Sequence, residues 1–195
     1  MPEDAEPKSL LRRRALARRA ALDPQTRALL TARLVDKGLA CARQWRARVV
    51  SAFFPIGDEP DALALLAALG AAGFVTALPA TAPAGAPLTF RLWSVGDPTV
   101  LGALNIPEPL AKADAVDPDL LFVPLAAFDR RGHRIGYGAG HYDRALRRLR
   151  AAGPIRAVGV AYSVCEIAAA PDEAHDEPLD FILTEREWIV APSPS

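Results

Sequence analysis

"DLLFVPLAAFDRRGHRIGYGAGHYDRALRRLR", residues 119 to 150, carries three signals in succession. Its first seven residues, 119 to 125, are a short continuous apolar run, the pattern of a strand buried on both faces as in a parallel sheet. Its middle sets Gly136, Gly138 and Gly140 on alternate positions, and its end, "RALRRLR", reads as helix. Downstream, "IRAVGVAY" (155 to 162) and "LDFILT" (179 to 184) repeat the buried-strand pattern before a tail ending in "APSPS". Upstream, "RVVSAFF" (48 to 54) is β-branched and aromatic and stops at Pro55, after which "DEPDALALLAALGAAG" reads as a loop and then a helix ended by Gly70 or Gly73. "FVTAL" (74 to 78) and "LTFRLW" (88 to 93) read as strands around a Pro-, Ala- and Gly-rich loop. Two helices lead: an Ala-, Leu- and Arg-rich one over 8 to 21, then one with Asp23 as N-cap and Pro24 at its first position, running to about Arg43. Strands alternating with helices predict a single-domain, open, mostly parallel α/β sheet of Rossmann-like type, with helices on both faces. It spans residues 1–195, with 1–7 and 192–195 expected to be flexible.

Composition narrows the function. At 195 residues, 51% hydrophobic and 24% charged, the chain suits one buried core and is too short for two large domains. Its 23 Lys and Arg balance 23 Asp and Glu, which argues against a polyanion binder working by bulk charge, so any anion site is local. Cys41 and Cys165 stand alone, with no C-x-x-C and no histidine at zinc spacing, so reduced, cytoplasmic conditions fit best. The N-terminal stretch has no apolar leader region and no window approaches a membrane span. No membrane, nucleic-acid or obligate protein partner is expected.

In open α/β sheets ligands bind beyond the carboxyl ends of the strands, where helix N-termini and backbone amides point at them. Residues 125 to 143 sit there. The three glycines permit positive φ and let a phosphate approach the main chain, while the following helix offers unpaired N–H groups. The spacing matches neither the G-x-x-x-x-G-K-[ST] phosphate loop nor the full dinucleotide fingerprint, and a plain tight turn would also use glycines. The company is more specific. Asp129, Arg130, Arg131, His133 and Arg134 precede the loop, and Tyr142 and Asp143 follow it.

At these residues the chain resembles the 5-formyltetrahydrofolate cyclo-ligase (5,10-methenyltetrahydrofolate synthetase) family, whose longest motif is close to P-x-x-x-F-D-x-x-G-x-R-L-G-y-G-g-G-y-Y-D. Pro124, Phe128, Asp129, Gly132, Arg134, Gly136, Gly138, Gly140, Tyr142 and Asp143 fall in place, with Ile135 for leucine and His141 for tyrosine. "KSLLR" (8 to 12), "FFPIGDEPD" (53 to 61), "ALPA" (77 to 80), "NIPEP" (105 to 109) and "HDEPLDFILTE" (175 to 185) match further ordered segments. Cys165 stands where the family usually has glutamine, and Leu104 where some members carry tryptophan.

The resemblance implies a reaction in which ATP and 5-formyltetrahydrofolate give 5,10-methenyltetrahydrofolate, ADP and phosphate. An amide-like oxygen leaves poorly, so the γ-phosphoryl group is first transferred to it, after which N10 attacks the activated carbon. Such a transfer asks for positioning and charge stabilisation. The resemblance assigns Lys8 and Arg134 to catalysis and places ATP against Lys8, Arg12, Arg134, Gly136, Tyr137, Gly138, Ala139, Gly140, His141, Tyr142 and Asp143. Lys8 and Arg12 lie on one helix face, facing the phosphates from the side opposite the glycine loop; Arg13, Arg14, Arg18 and Arg19 default to the surface. Arg134 either meets a phosphate or pairs with Asp129. Magnesium is expected on Asp143 and Asp176, and the folate on Phe54, Glu59, Gly138, Gly140 and Tyr142. Cys165 reads as a small buried residue. A nucleotide- or phosphosugar-binding α/β protein without cyclo-ligase activity is the alternative, and a nucleic-acid module built on "RRRALARR" is disfavoured by the neutral charge.

Overall fold

Leu120 and Phe122 bury on one side of their strand and Leu121 and Val123 on the other, which is why the run over 119 to 125 shows no alternation. The computed structural model describes residues 6–83 and 85–192, so of the ends expected to be flexible 1–5 and 193–195 lie outside the described residues. In chain order the elements are α1 (Lys8–Ala20), α2 (Pro24–Gln44), β1 (Val49–Ser51), α3 (Ala62–Ala71), β2 (Val75–Ala80), β3 (Thr89–Leu92), β4 (Thr99–Leu101) and β5 (Pro107–Pro109). Then come β6 (Leu120–Pro124), β7 (Ala127–Phe128), β8 (Arg134–Ile135), α4 (His141–Ala152), β9 (Arg156–Val160), a 3-10 turn at Ser163–Cys165, β10 (Phe181–Leu183) and β11 (Trp188–Val190).

The main sheet has seven strands in the order β11-β10-β9-β6-β1-β2-β3. β2, β1, β6, β9 and β10 run parallel, and β3 and β11 close the two edges antiparallel. Counting only the parallel strands in chain order, the arrangement is second-first-third-fourth-fifth, a doubly wound sheet whose order reverses between β1 and β6. That reversal opens a crevice beyond the carboxyl ends of β1 and β6. Residues 52 to 59 and residues 125 to 143 leave the sheet on either side of it.

Helices cover both faces. Leu34 and Ala42 of α2 and Leu65, Leu66 and Leu69 of α3 pack with Val50, Leu120, Phe122 and Val158. Ala145, Leu146 and Leu149 of α4 pack on the opposite face with Leu121, Val123, Ala157 and Ile182. The α2 cap matches the sequence, Asp23 accepting from Thr26 N at 2.9 Å with Pro24 next; α3, for which the sequence reading names no cap, is capped by Asp61, which accepts from Leu63 N and Ala64 N. α3 runs through Gly70, and the chain turns at Gly73, whose φ of +89° suits glycine. α1 starts directly after Pro7, whose carbonyl accepts from Leu10 N and Leu11 N.

Three pairings have no counterpart in the sequence reading. The β4–β5 hairpin is short, proline-bearing and exposed along β4, β7–β8 has two residues per strand, and β11 sits in the stretch read as tail. None is long enough to show a period. No helix among the described residues is long and apolar enough to cross a membrane.

Gly159, the penultimate residue of β9, sits where the sheet is closely packed: an added Cβ would lie 2.6 Å from Leu179 Cδ1, 2.7 Å from Leu125 Cδ2 and 2.9 Å from Ile182 Cδ1. Gly159→Ala is expected to lower the unfolding free energy by about 1–3 kcal/mol, seen as a lower urea midpoint. A wild-type midpoint would mean the three side chains swing aside freely.

Candidate active site

The crevice holds a cavity of about 490 Å³, within the size range of small-molecule sites. Its lining gathers the start of α1 (Lys8, Arg12), the segment after β1 (Phe53, Phe54, Ile56, Glu59), the end of β2 with the residue just beyond it (Leu78, Pro79, Thr81), and β5 (Pro107, Glu108). Leu88, Leu104, Ile106, Pro124, residues 134 to 143 and the loop residues Glu173, His175 and Asp176 complete it. Every residue expected at a binding or catalytic position lines this one cavity.

The glycine loop is exposed and open. Gly138 (φ +98°) and Gly140 (φ +62°) take the left-handed region, whereas Gly136 does not. Among the described residues, only the Arg12 guanidinium lies within 4 Å of a Cβ on Gly138, 3.7 Å away. No side chain caps α4, so the amides of its first turn face the cavity without a capping acceptor. Burial makes the loop's neighbours less ordinary. His141 lies beside Arg144, and burial followed by that charge lowers its pKa, so the imidazole is neutral at pH 7.

Charged residues reach this loop from distant segments. Arg12 Nε donates to the Gly136 carbonyl at 2.7 Å, so Arg12 grips the loop itself rather than facing it from the opposite side as expected. Lys8 Nζ lies 2.7 Å from Asp176 Oδ2 and 2.9 Å from Glu173 Oε1. Arg134 donates to Asp143 Oδ1 at 2.6 Å and to the Glu177 carbonyl at 2.5 Å, and Asp143 Oδ1 also accepts from Glu177 N. It does not pair with Asp129. That carboxylate is taken by Arg131 and by the amides of Arg131 and Ala170, at 2.8 to 3.0 Å, which braces the turn ahead of the glycines.

Arg19 is the clearest correction. Expected at the surface, its side chain is 7% exposed and its Nη1 donates to Tyr137 Oη at 3.1 Å, 4.0 Å from Glu59 Oε1. The Tyr137 hydroxyl donates in turn to Glu59, whose other oxygen accepts from Ile56 N at 2.8 Å. Burial pushes the Glu59 carboxyl above its usual range, opposed by those two hydrogen bonds and the Arg19 charge. The sequence did hold a signal: Lys8, Arg12, Ala15 and Arg19 recur at helical spacing on one face, and Ala15 and Arg19 are its buried members. Glu108 and Thr81 were also missed. The half-buried Tyr142 has a hydroxyl with no hydrogen-bond partner among the described residues, sealed from solvent beside the cavity. Cys165 is fully buried and burial raises its thiol to about 11, so it is inert at neutral pH.

Among the described residues no three His, Cys, Asp or Glu side chains converge as a metal cluster. Asp143 and Asp176 each keep one carboxylate oxygen that accepts no hydrogen bond from the described residues. That suits an ion held mainly by other ligands.

The brace at Asp129 yields a pH-dependent expectation. Burial raises this carboxyl's pKa, but the bonds from Ala170 N and Arg131 together outweigh it and the pKa falls below the ordinary 3.8. A depressed carboxyl stabilises the fold above its unfolded pKa and loses that contribution as pH falls through the folded value. Asp129→Asn should therefore cost about 2 kcal/mol at pH 7, with the gap to wild type persisting to about pH 4 and closing below it. Urea titrations at pH 7 and pH 3 measure this, and a gap constant with pH would remove the charge from the explanation.

Comparison with known proteins agrees with this geometry. The sequence model of the 5-formyltetrahydrofolate cyclo-ligase family matches residues 4–185. The 5-formyltetrahydrofolate cyclo-ligase of Mycolicibacterium smegmatis is 35% identical over 152 residues, covering 74% of this chain and 77% of its own. That of Escherichia coli K12 is 30% identical over 179 residues, 88% of this chain and 98% of its own. The structure of Aquifex aeolicus 5,10-methenyltetrahydrofolate synthetase superposes with a TM-score of 0.79 at 27% identity, covering 96% of this chain and 94% of that one. With a match over nearly its whole length and most of the motif residues, from Arg134 to Asp143, gathered around one cavity, the chain belongs to the 5-formyltetrahydrofolate cyclo-ligase family.

Proposed function

We propose that the protein catalyses the ATP-dependent cyclisation of 5-formyltetrahydrofolate to 5,10-methenyltetrahydrofolate, with release of ADP and phosphate, acting as a single-domain cytoplasmic enzyme on small molecules. The observation that carries this reading is the joining, in one cavity, of an anion-binding group with an apolar wall. The first comprises Lys8, Arg12 and the uncapped start of α4 beside Gly138 and Gly140. The second comprises Phe53, Phe54, Leu78 and Leu88, with Glu59 and the unpartnered Tyr142 hydroxyl as polar points. A triphosphate suits the first, and a pteridine ring with polar edges suits the second.

The chemistry is then a matter of placement. The formyl oxygen forms a bond to the γ-phosphorus as the bond to ADP breaks. N10 attacks the formyl carbon, the carbon–oxygen bond to phosphate breaks, and the N10 proton is released. Lys8 is the cation assigned to the transferring group: its ammonium, paired with Glu173 and Asp176, lines the cavity beside the glycine loop. One cation about 4 Å from a phosphate contributes roughly 4 kcal/mol at an effective dielectric near 20. Arg12 and the Gly138 and Gly140 backbone hold the chain of phosphates, with Tyr137, Ala139 and His141 along the same loop. Arg134 acts by holding Asp143 in place rather than by reaching out itself. Glu59, Phe54 and Tyr142 orient the folate. Asp143 and Asp176 would hold magnesium through their open oxygens; when bound, it supplies charge neutralisation between phosphate oxygens.

Growth of the methenyl chromophore in the presence of both ATP and 5-formyltetrahydrofolate tests the activity. ATP consumption indifferent to that folate would reject it, and calorimetry showing ATP binding without folate binding would select the nucleotide-binding alternative. Lys8→Ala should lower kcat/KM by about 100-fold without shifting the thermal midpoint, because its partners lie at the rim. Gly138→Val forces a β-branched residue to a φ of +98° and toward the Arg12 guanidinium, and should abolish measurable ATP binding while the fold persists. Wild-type rates in either variant would remove the role assigned to that residue.

A further inference from the structure

Glu108, on the short strand β5 between two prolines, is about nine-tenths buried and lines the cavity, yet the cyclisation scheme above gives it nothing to do. We propose that Glu108 is the carboxylate that receives the paired N–H donors of the 2-amino-4-oxopyrimidine edge of the folate, and so sets specificity for that ring. The inference rests on the cyclo-ligase reading and adds to it.

The carboxylate is only half satisfied. Its Oε1 accepts from Thr81 Oγ1 at 2.7 Å, whereas no donor among the described residues reaches Oε2. Oε2 is not sealed off but stands open to the cavity, so a ligand that brings donors can reach it directly and replace the water it would otherwise hold. Glu59, the acid assigned to the folate on the apolar side of the cavity, is already engaged by Tyr137, Arg19 and Ile56 N. Glu108 therefore has the larger unused accepting capacity.

Its orientation is held. A Cβ on Gly102 would fall 2.0 Å from Glu108 Oε1 and 2.5 Å from Oε2, so the carboxylate lies directly against the Gly102 backbone, where only glycine leaves room. Gly102 belongs to the same hairpin, its N–H bonded to the Ile106 carbonyl at 2.9 Å. Apolar Leu78, Leu88 and Ile106 line the cavity with it, which favours hydrogen bonds over hydration.

Donor count selects the ligand. A carboxylate is acceptor-only and pairs with two adjacent N–H groups in fork geometry. The pyrimidine edge of a folate offers them, as ring N3–H beside the 2-amino group. Adenine offers a donor beside an acceptor, and a phosphate offers no donor and repels. Glu108 thus reads the folate and not the nucleotide.

Glu108→Gln keeps the acceptor for Thr81 and nearly the same shape but replaces one acceptor oxygen with a donor. It should raise KM for 5-formyltetrahydrofolate at least about ten-fold, leaving KM for ATP and the thermal midpoint unchanged. Gly102→Ala, which pushes the carboxylate off its seat, should move the folate KM in the same direction. A 2-deamino analogue of the substrate should bind the wild type more weakly than the substrate does, while Glu108→Gln no longer distinguishes the two. Equal folate KM in wild type and Glu108→Gln would overturn the proposal, as would a parallel rise in both KM values with a lowered midpoint, the mark of a structural role. Absence of methenyl product in the wild type itself would instead remove the underlying cyclo-ligase reading, and the proposal with it.

Discussion

The glycine loop is held open by a clip at its two ends. Arg134, in the strand before the loop, reaches Asp143, in the first turn of the helix after it, at 2.6 Å, and both bond to the Glu177 main chain. The pair is mostly shielded from solvent, with the Arg134 side chain 6% exposed. Fixing the ends of so short a loop removes much of the entropy that glycines would otherwise leave in it. The loop keeps the left-handed turns at Gly138 and Gly140 and the uncapped helix start as standing features of the molecule, ready for an anion.

Around that clip, the cavity depends on how charges are shared between elements distant in sequence. α1 contributes three of them, each to a different neighbour: Lys8 to the loop carrying Asp176, Arg12 to Gly136, and Arg19 to the Tyr137–Glu59 pair. A short apolar patch docks the helix, with Ala15 and Leu11 against Ala127, Ile135 and Ala170. α4 does the same for the opposite rim, where Arg147 and Arg150 hold Glu177 and the main chain at His175 and Pro178. The loop bearing Asp176 is thereby fixed from two helices although it has no regular structure of its own. Its geometry is set by charge-assisted hydrogen bonds, which constrain direction as well as distance.

Much of the architecture was legible because it is written locally. A strand buried on both faces must be apolar at successive positions, as Leu120 to Val123 are, and a helix must be punctuated by groups such as Asp23 and Pro24. The loop's three glycines and the ordered motifs likewise stand in the chain itself. The β4–β5 hairpin and the β7–β8 pairing escaped because two or three residues cannot display a period, and β11 because an edge strand buries little.

The sequence by itself therefore determined the doubly wound sheet, the helix starts, the glycine loop and the family. Only the tertiary structure decided which charges meet: that Arg134 takes Asp143 and not Asp129, that Arg19 turns inward to a carboxylate and a tyrosine, and that Glu108 keeps an oxygen open to the cavity. The physical reason is separation. Tyr137 and Glu59 are 78 positions apart and Lys8 and Asp176 are 168 apart, so their pairing is set by how the layers pack, which no local pattern records.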